Sequence, residues 1–255
     1  MQPTNTYSLL RIKLTNTLVA EVGIPKRSTG KGVIIAQGLP SSPDKRRLLS
    51  FLAERGYISI HPRYEGSWES AGFFADHSPA QDIQNVIRVV SKKKSVTDLW
   101  TGETFSFHLT SLILIGISFG GPGVLLNSKN KFVKKVIAVS PVLDWSVEGE
   151  DEPFEKWIQF LEHGYPGAYR VRSKKNWLHF QEKDFYNPVT MTKDIDGSKI
   201  FILHAQDDHV VPVEPVVPFA EKTGAQFYLK PHGGHRLDIR HQFLWKKIEK
   251  FLRQK

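Results

Sequence analysis

The stretch "LILIGISFGG", Leu112 to Gly121, is a run of bulky aliphatic residues that ends in glycines placed two positions before and after Ser118. A continuous aliphatic run of this kind is typical of a strand buried on both faces of a parallel sheet. The next stretch, "GVLLNSKN", is predicted to be helical. Gly116 and Gly120 leave room for a sharp strand-to-helix reversal, so the stretch is either a simple glycine turn or a nucleophile elbow centred on Ser118.

Strands and helices alternate on both sides of this stretch, which predicts an α/β fold with a mostly parallel central sheet and helices on both faces. The stretches "TYSLLRIKL" and "TLVAEVGIP" predict an antiparallel hairpin at the N-terminus. The signature Ser42-Pro43-Asp44 predicts the start of the first helix, and Gly56 predicts its end. A chain of 255 residues fits one large domain, which we place at 1–255.

One segment, at about residues 145–186, interrupts the alternation. It contains no clear strand and holds ten aromatic residues. It is too long for a simple connection and too apolar for a disordered linker, so we expect a small helical cap inserted over one edge of the sheet. Its aromatic side chains either line a substrate site or fill only the core of the cap.

Composition excludes several classes of protein. With no cysteine, the chain has no disulfide, no thiolate metal site and no cysteine nucleophile. The net charge of +9 is spread over short groups of Lys and Arg, which indicates a solvated face rather than nucleic-acid binding. The first residues lack the pattern of a secretory signal, and no apolar stretch reaches the roughly 20 residues of a membrane span. We therefore expect a cytoplasmic protein with no membrane partner.

A serine hydroxyl needs a histidine base and a carboxylate to become a strong nucleophile. The loop "QDDHVVP" after the predicted strand "KIFILHA" offers Asp207 and Asp208, and Asp144 ends an earlier strand. The loop "PHGGHRL" offers His232 and His235. The other histidines are expected to be ordinary core or surface residues. Because no further ligand spacing supports a site made by His204 or His209 with Asp207, no metal is expected.

Four pieces of sequence together resemble the α/β-hydrolase superfamily, especially single-domain esterases and hydrolases related to the catalytic domain of prolyl oligopeptidase. They are "GISFGG", "HAQDDHVVP", "GGHR" and "AQGLP", and the resemblance extends over nearly the whole chain. "YEGSWESAGFF" resembles, more loosely, the stretch that follows the fourth strand in that family. Aligning "VVP" with the family pattern implies that Asp208 is the acid, with Asp207 one residue too early. Asp144 stays an alternative, because some relatives take the acid from that earlier strand. The same resemblance implies that His235, 27 residues beyond Asp208, is the base.

The resemblance also implies an oxyanion hole made by the backbone N–H groups of Leu39 and Phe119. Gln37 stands where relatives usually have a histidine that braces this turn. We assign Gln37, Trp145 and Trp157 to the substrate-binding region.

The function implied is that of a serine hydrolase without cofactor, which cleaves a small or medium carboxylic ester with an apolar or aromatic group through an acyl-enzyme. A small serine exopeptidase or amidase, and a non-catalytic binding protein of the same fold, remain alternatives. The sequence leaves the oligomeric state open.

Overall fold

The computed structural model describes residues 6–254. Residues 1–5, part of the N-terminal stretch considered for a signal, lie outside the described residues. Ten strands are present in the described residues: β1 (Tyr7–Lys13), β2 (Val19–Pro25), β3 (Lys31–Ala36), β4 (Ile58–Pro62), β5 (Ser95–Thr97), β6 (Thr104–Ser106), β7 (Ser111–Ile117), β8 (Val133–Val139), β9 (Ile200–Ala205) and β10 (Gln226–Lys230).

Eight of these strands form one sheet in the order β1-β2-β4-β3-β7-β8-β9-β10, while β5 and β6 form a separate hairpin. The pairs β1–β2 and β2–β4 are antiparallel, and all other neighbours in the large sheet are parallel. The prediction of a mostly parallel sheet with an antiparallel N-terminal hairpin is therefore confirmed. Strand β7, which contains most of the aliphatic run, lies between β3 and β8.

Helices cover both faces of the sheet. They are α1 (Arg46–Ala53), α2 (Pro79–Val90), α3 (Gly120–Leu125), α4 (Phe154–Gly164), α5 (Val216–Thr223) and α6 (Gln242–Leu252). Successive residues of β7 alternate between two cores, because side chains along a strand point to opposite faces. Ile113 and Ile115 pack in a core that contains buried residues of α1 and α6, whereas Leu112 and Leu114 pack in one that contains buried residues of α2, α3 and α5. None of the helices in residues 6–254 is long and apolar enough to cross a membrane.

The first helix begins at Arg46, four residues later than Ser42, where the sequence placed its start. Proline disfavours helical backbone in the residue before it, which holds Ser42 out of the helix. The Asp44 carboxylate then accepts a hydrogen bond from the N–H of Arg46 at 3.0 Å. This local turn replaces the predicted cap, so the helix starts only after it.

The segment 145–186 is helical where it is regular. It contains α4 and a 3₁₀ helix at Lys174–Gln181. Further 3₁₀ turns lie at Thr192–Asp194 and Gly197–Lys199, before β9. We call residues 145–186 the cap from here on.

Candidate active site

Ser118 lies in a strained turn between β7 and α3, with a φ of 51°. The two flanking glycines are sterically required. A Cβ added to Gly116 would lie 2.4 Å from Cγ2 of Val124, and one added to Gly120 would lie 2.1 Å from the carbonyl oxygen of Ala36. The turn has the geometry of a nucleophile elbow, for the steric reason that the sequence pattern indicated.

The turn after β3 passes directly against this serine. A Cβ on Gly38 would lie 3.1 Å from Cβ of Ser118 and 3.6 Å from its Oγ. The next residue, Leu39, lines the same cavity as Ser118 and Phe119. Within residues 6–254, the backbone N–H groups of Leu39 and Phe119 have no hydrogen-bond acceptor. Leu39 and Phe119, which lie next to the serine, therefore each have an unpaired N–H donor.

Asp208 and His235 are brought together by the loops that follow β9 and β10. Nδ1 of His235 lies 2.9 Å from Oδ2 of Asp208. The other carboxylate oxygen accepts hydrogen bonds from the N–H groups of Val210 and Val211, at 3.0 and 2.9 Å. Burial alone would raise the pKa of Asp208, but the hydrogen bonds from His204 and His235 outweigh it and hold the pKa well below its usual range. The carboxylate is charged and fixed in place.

A second histidine contacts the same carboxylate. Nε2 of the buried His204 lies 3.1 Å from Oδ2 of Asp208 and 3.0 Å from the carbonyl oxygen of Val211. Because a carbonyl can only accept, Nε2 carries the proton and donates. This contact was not predicted from the sequence. Its only signal was the spacing of a histidine in a buried strand four residues before the acid.

The rival candidates lie elsewhere. Asp207 accepts hydrogen bonds from the N–H groups of Gly233 and Gly234, at 2.9 and 2.8 Å, and so braces the histidine loop. Asp144 lines the cavity, but its Oδ1 accepts from the backbone and hydroxyl of Ser146. His232 has a largely exposed side chain, 3.7 Å from Asp207. The carboxylate in contact with His235 is that of Asp208.

Gln37 lies behind the turn and does not line the cavity, which differs from the substrate-binding place expected for it. Its Oε1 lies 3.0 Å from Nε2 of His61, whose Nδ1 lies 2.6 Å from Nη1 of Arg63. A guanidinium can only donate, so Nδ1 of His61 accepts and Nε2 donates to Gln37. Burial, with the nearby charge of Arg63, lowers the pKa of His61 well below its usual value. The backbone carbonyl of Gln37 accepts from the Tyr64 hydroxyl at 3.0 Å.

A cavity of about 60 Å³ opens beside Ser118. Its walls are largely apolar and aromatic, and include both tryptophans assigned to substrate binding, Trp145 and Trp157. Three acidic residues, Asp144, Glu148 and Glu152, also line it, and in the described part of the chain no Lys, Arg or His does. Burial raises the pKa of Glu152.

The aromatic residues of the cap pack against the elbow rather than only against one another. The ring of Phe119 stacks on Trp157, with centroids 5.8 Å apart, and lies 5.1 Å from the ring of Tyr186. The Tyr186 hydroxyl donates to the carbonyl of Phe119 at 2.9 Å and accepts from the N–H of Gly123 at 3.0 Å. The indole N–H of Trp157 donates to the carbonyl of Leu39 at 3.0 Å. The cap is thus tied to both sides of the serine.

One group of three potential metal ligands, Glu65, His77 and Asp82, lies among the described residues. Oδ1 of Asp82 pairs with Nε2 of His77 at 2.8 Å, and Oδ2 accepts from the N–H of Glu65 at 2.9 Å. The hydrogen bond to Asp82 raises the pKa of His77. Both carboxylate oxygens of Asp82 are thus already hydrogen-bonded within the chain.

Comparison with solved structures agrees with this architecture. An esterase from Pyrococcus furiosus superposes with a TM-score of 0.66 at 17% identity, covering 96% of this chain and 89% of that one. Est1E from Butyrivibrio proteoclasticus gives a TM-score of 0.62 at 16% identity, covering 96% and 99%. The acylaminoacyl peptidase of Pyrococcus horikoshii gives 0.65 at 15% identity, covering 98% of this chain and 41% of that one.

No protein-family model matches the sequence, and no curated protein matches it either. The structural similarity, together with the strand order and the elbow, shows that the chain has the α/β-hydrolase fold. The resemblance seen in the sequence motifs is confirmed at the level of this fold.

Proposed function

We propose that the protein is a serine hydrolase that cleaves small carboxylic esters through an acyl-enzyme. The observation that carries the proposal is the arrangement around Ser118. The serine is held at a φ of 51° on the wall of a cavity. On either side of it lie Phe119 and Leu39, whose backbone N–H groups are unpaired in the described chain. Strained backbone and unpaired donors are unfavourable in a purely structural turn and useful at a site where negative charge develops.

In the proposed reaction, His235 takes the proton of Ser118 while the serine oxygen attacks the ester carbonyl. The contact between Asp208 and Nδ1 fixes the imidazole, so that Nε2 is the nitrogen left to accept the proton. The tetrahedral oxyanion then binds to the N–H groups of Leu39 and Phe119. The alcohol leaves with the proton from His235, and water releases the acid by the same steps.

The cavity favours a short acyl or alcohol group. At about 60 Å³ it is far smaller than the roughly 300–1,000 Å³ of sites for drug-sized ligands. Its apolar and aromatic walls suit an uncharged group. A short aliphatic ester, or one that places a single small ring beside Trp145 and Trp157, therefore fits the site better than a long-chain lipid ester.

The proposal is tested with p-nitrophenyl esters of acyl chains from two to ten carbons, assayed with the wild-type protein and Ser118→Ala. We expect turnover to be highest for the shortest chains and to be lost in the variant. A fluorophosphonate probe should label wild-type protein and leave Ser118→Ala unlabelled. Absence of both turnover and labelling in the wild type would reject the enzyme and leave a binding protein of this fold. Faster cleavage of matched anilides than of esters would indicate an amidase.

A further inference from the structure

Trp157 contacts both residues whose N–H groups are the proposed oxyanion donors. Its indole N–H donates to the Leu39 carbonyl at 3.0 Å. Its ring stacks on that of Phe119, with an interplanar angle of 24°. The side chain is 5% exposed and belongs to α4, in the cap. One cap residue thus reaches both halves of the oxyanion hole.

We propose that Trp157 is a positioning residue for the oxyanion hole, and that the cap is therefore a fixed part of the catalytic site rather than a cover over it. The inference rests on the proposed function and deepens it. It concerns how the donors are held in place, whereas the sequence analysis assigned Trp157 only to contact with the substrate.

The turn that carries Leu39 has few other restraints. Strand pairing of β3 ends at Ala36, and the Tyr64 hydroxyl holds the carbonyl of Gln37. Beyond that point, the Leu39 carbonyl is the one backbone group of residues 38–40 that receives a hydrogen bond in the described part of the chain. The backbone is next held at Ser41, whose N–H donates to the Tyr169 hydroxyl at 3.3 Å. Without the bond from Trp157, the Leu39 peptide itself is held only by the packing of its buried side chain.

The Phe119 side of the hole has several restraints. Its carbonyl accepts from the Tyr186 hydroxyl, and its ring also packs against Tyr64 and Phe180, with centroids 5.7 and 5.3 Å away. Loss of one neighbour therefore leaves Phe119 in place. The hydrogen bond to Leu39 is the contact of Trp157 that no other residue duplicates, so its removal should act mainly through Leu39.

Trp157→Phe removes this hydrogen bond and keeps an aromatic ring in the cluster. Trp177→Phe is the matched control. Trp177 is also buried in the cap, with its ring 5.8 Å from that of Trp157, but it does not line the cavity. Its indole N–H has no acceptor in the described residues, so the control removes an N–H that makes no bond. The measurements are kcat and KM for a short p-nitrophenyl ester.

We expect Trp157→Phe to lower kcat by about tenfold to a hundredfold with KM changed by less than about twofold, because an oxyanion donor displaced by a fraction of an ångström loses part of a transition-state contact. Binding of a trifluoromethyl ketone, which forms an oxyanion on the serine, should weaken by a similar factor. Trp177→Phe should leave kcat unchanged. Equal kcat in the two variants, or a rise in KM alone, would overturn the proposal.

A second variant protects the test against poor folding of Trp157→Phe. Replacement of Trp157 by 3-benzothienylalanine, in which sulfur takes the place of the indole N–H, preserves the shape of the ring. We expect the same loss of kcat, and wild-type kcat in this variant would overturn the inference. A wild-type protein without Ser118-dependent turnover would overturn the proposed function as well, which is a distinguishable result.

Discussion

The proposed chemistry depends on the backbone conformation of Ser118. A non-glycine residue at a φ of 51° is unfavourable by about 1–2 kcal/mol, so the surrounding structure must hold it there. The parallel strands on either side of β7 and the close packing of Gly116 and Gly120 supply that restraint. The glycines are therefore determinants of stability as well as of the elbow.

Gly120→Ala should lower the free energy of unfolding by about 3 kcal/mol, because the added methyl meets the backbone carbonyl of Ala36, which cannot rotate away. Gly224→Ala separates this clash from backbone strain. Gly224 has a φ of 78° but no atom within 4 Å of an added Cβ, so we expect a loss of about 1 kcal/mol there. Urea unfolding of the two variants measures both values, and equal losses would argue against the steric account.

The choice among the three aspartates predicts a ranking of kcat. Asp208→Asn should lower kcat by about 10⁴-fold, because the imidazole loses the partner that fixes its tautomer. Asp207→Asn weakens only the bracing of the loop through Gly233 and Gly234, so a loss of about tenfold or less is expected. Steady-state kinetics on one short ester tests the order. A larger effect at Asp207 or at Asp144 would reassign the acid.

At the scale of elements, the contact between the cap and the elbow determines the shape of the site. The Tyr186 hydroxyl bridges the carbonyl of Phe119 and the N–H of Gly123. Burial raises the pKa of Tyr186 far above its usual value, so this group stays protonated and donates at any ordinary pH. A neutral hydrogen bond therefore joins the cap to the first turn of α3.

Tyr186→Phe should lower the free energy of unfolding by about 1–3 kcal/mol, because it leaves a buried carbonyl and a buried N–H without partners. Tyr165→Phe is the control, since the Tyr165 hydroxyl makes no hydrogen bond in the described residues and its ring, which packs against Phe160, also lies in the cap. That change should stay within about 0.5 kcal/mol. Denaturant titration of both variants is the measurement, and indistinguishable midpoints would contradict the bridging role.

The elements differ in how well the sequence predicted them. Strands such as β7 and β9 were predictable because a strand buried on both faces needs aliphatic residues at nearly every position. The predicted start of α1 at Ser42 was wrong. The Asp44 carboxylate accepts a hydrogen bond from the N–H of Arg46 and forms a local turn there, so the helix begins only at Arg46. The hydrogen bonds from Gln37 through His61 to Arg63 could not be predicted from the sequence, because they join residues that meet only when β3 and β4 pair.

In the candidate site, too, local motifs were predictable from the sequence and long-range contacts were not. Ser118, Asp208 and His235 lie in short motifs whose order along the chain carries information. The contact of His204 with Asp208 and that of Trp157 with Leu39 depend on side-chain directions fixed by packing. A glutamine in place of the usual histidine gave no indication that Gln37 would turn away from the cavity toward His61.

At the scale of the whole molecule, the net charge and the charge of the cavity have opposite signs. The chain carries +9, whereas the cavity is lined by Asp144, Glu148 and Glu152 without a basic residue from the described chain. Long-range attraction of anions to the surface therefore does not imply an anionic substrate. We expect the local carboxylates, rather than the net charge, to influence which group enters the site.

This contrast predicts discrimination by charge. The mono-p-nitrophenyl ester of succinate should be cleaved with a kcat/KM at least about tenfold below that of p-nitrophenyl butyrate, because its carboxylate meets like charges in the cavity. Glu152→Gln should recover part of the difference, since it removes a charge and keeps the shape of the side chain. Equal kcat/KM values for the two esters would show that the carboxylates play no part in selection.

The buried histidine behind the oxyanion turn predicts how stability depends on pH. The folded pKa of His61 lies well below its unfolded value near 6.5 because of burial and Arg63, so below that pH the unfolded chain binds a proton that the folded protein does not. This group should lower the free energy of unfolding by about 1.4 kcal/mol for each pH unit below about 6.5. Unfolding measured from pH 7 to 5 should be less steep in His61→Gln, and identical slopes would contradict the assignment.

The hydrogen bond between Trp157 and Leu39 joins positions 118 residues apart, which has a consequence for folding kinetics. Contacts of long sequence separation form only after the intervening chain has closed, and they tend to be completed late. The sheet can pair while the Leu39 turn still samples several conformations. During refolding, recovery of hydrolysis should therefore lag behind recovery of the far-ultraviolet circular dichroism signal, and the interval between them reports the docking of the cap.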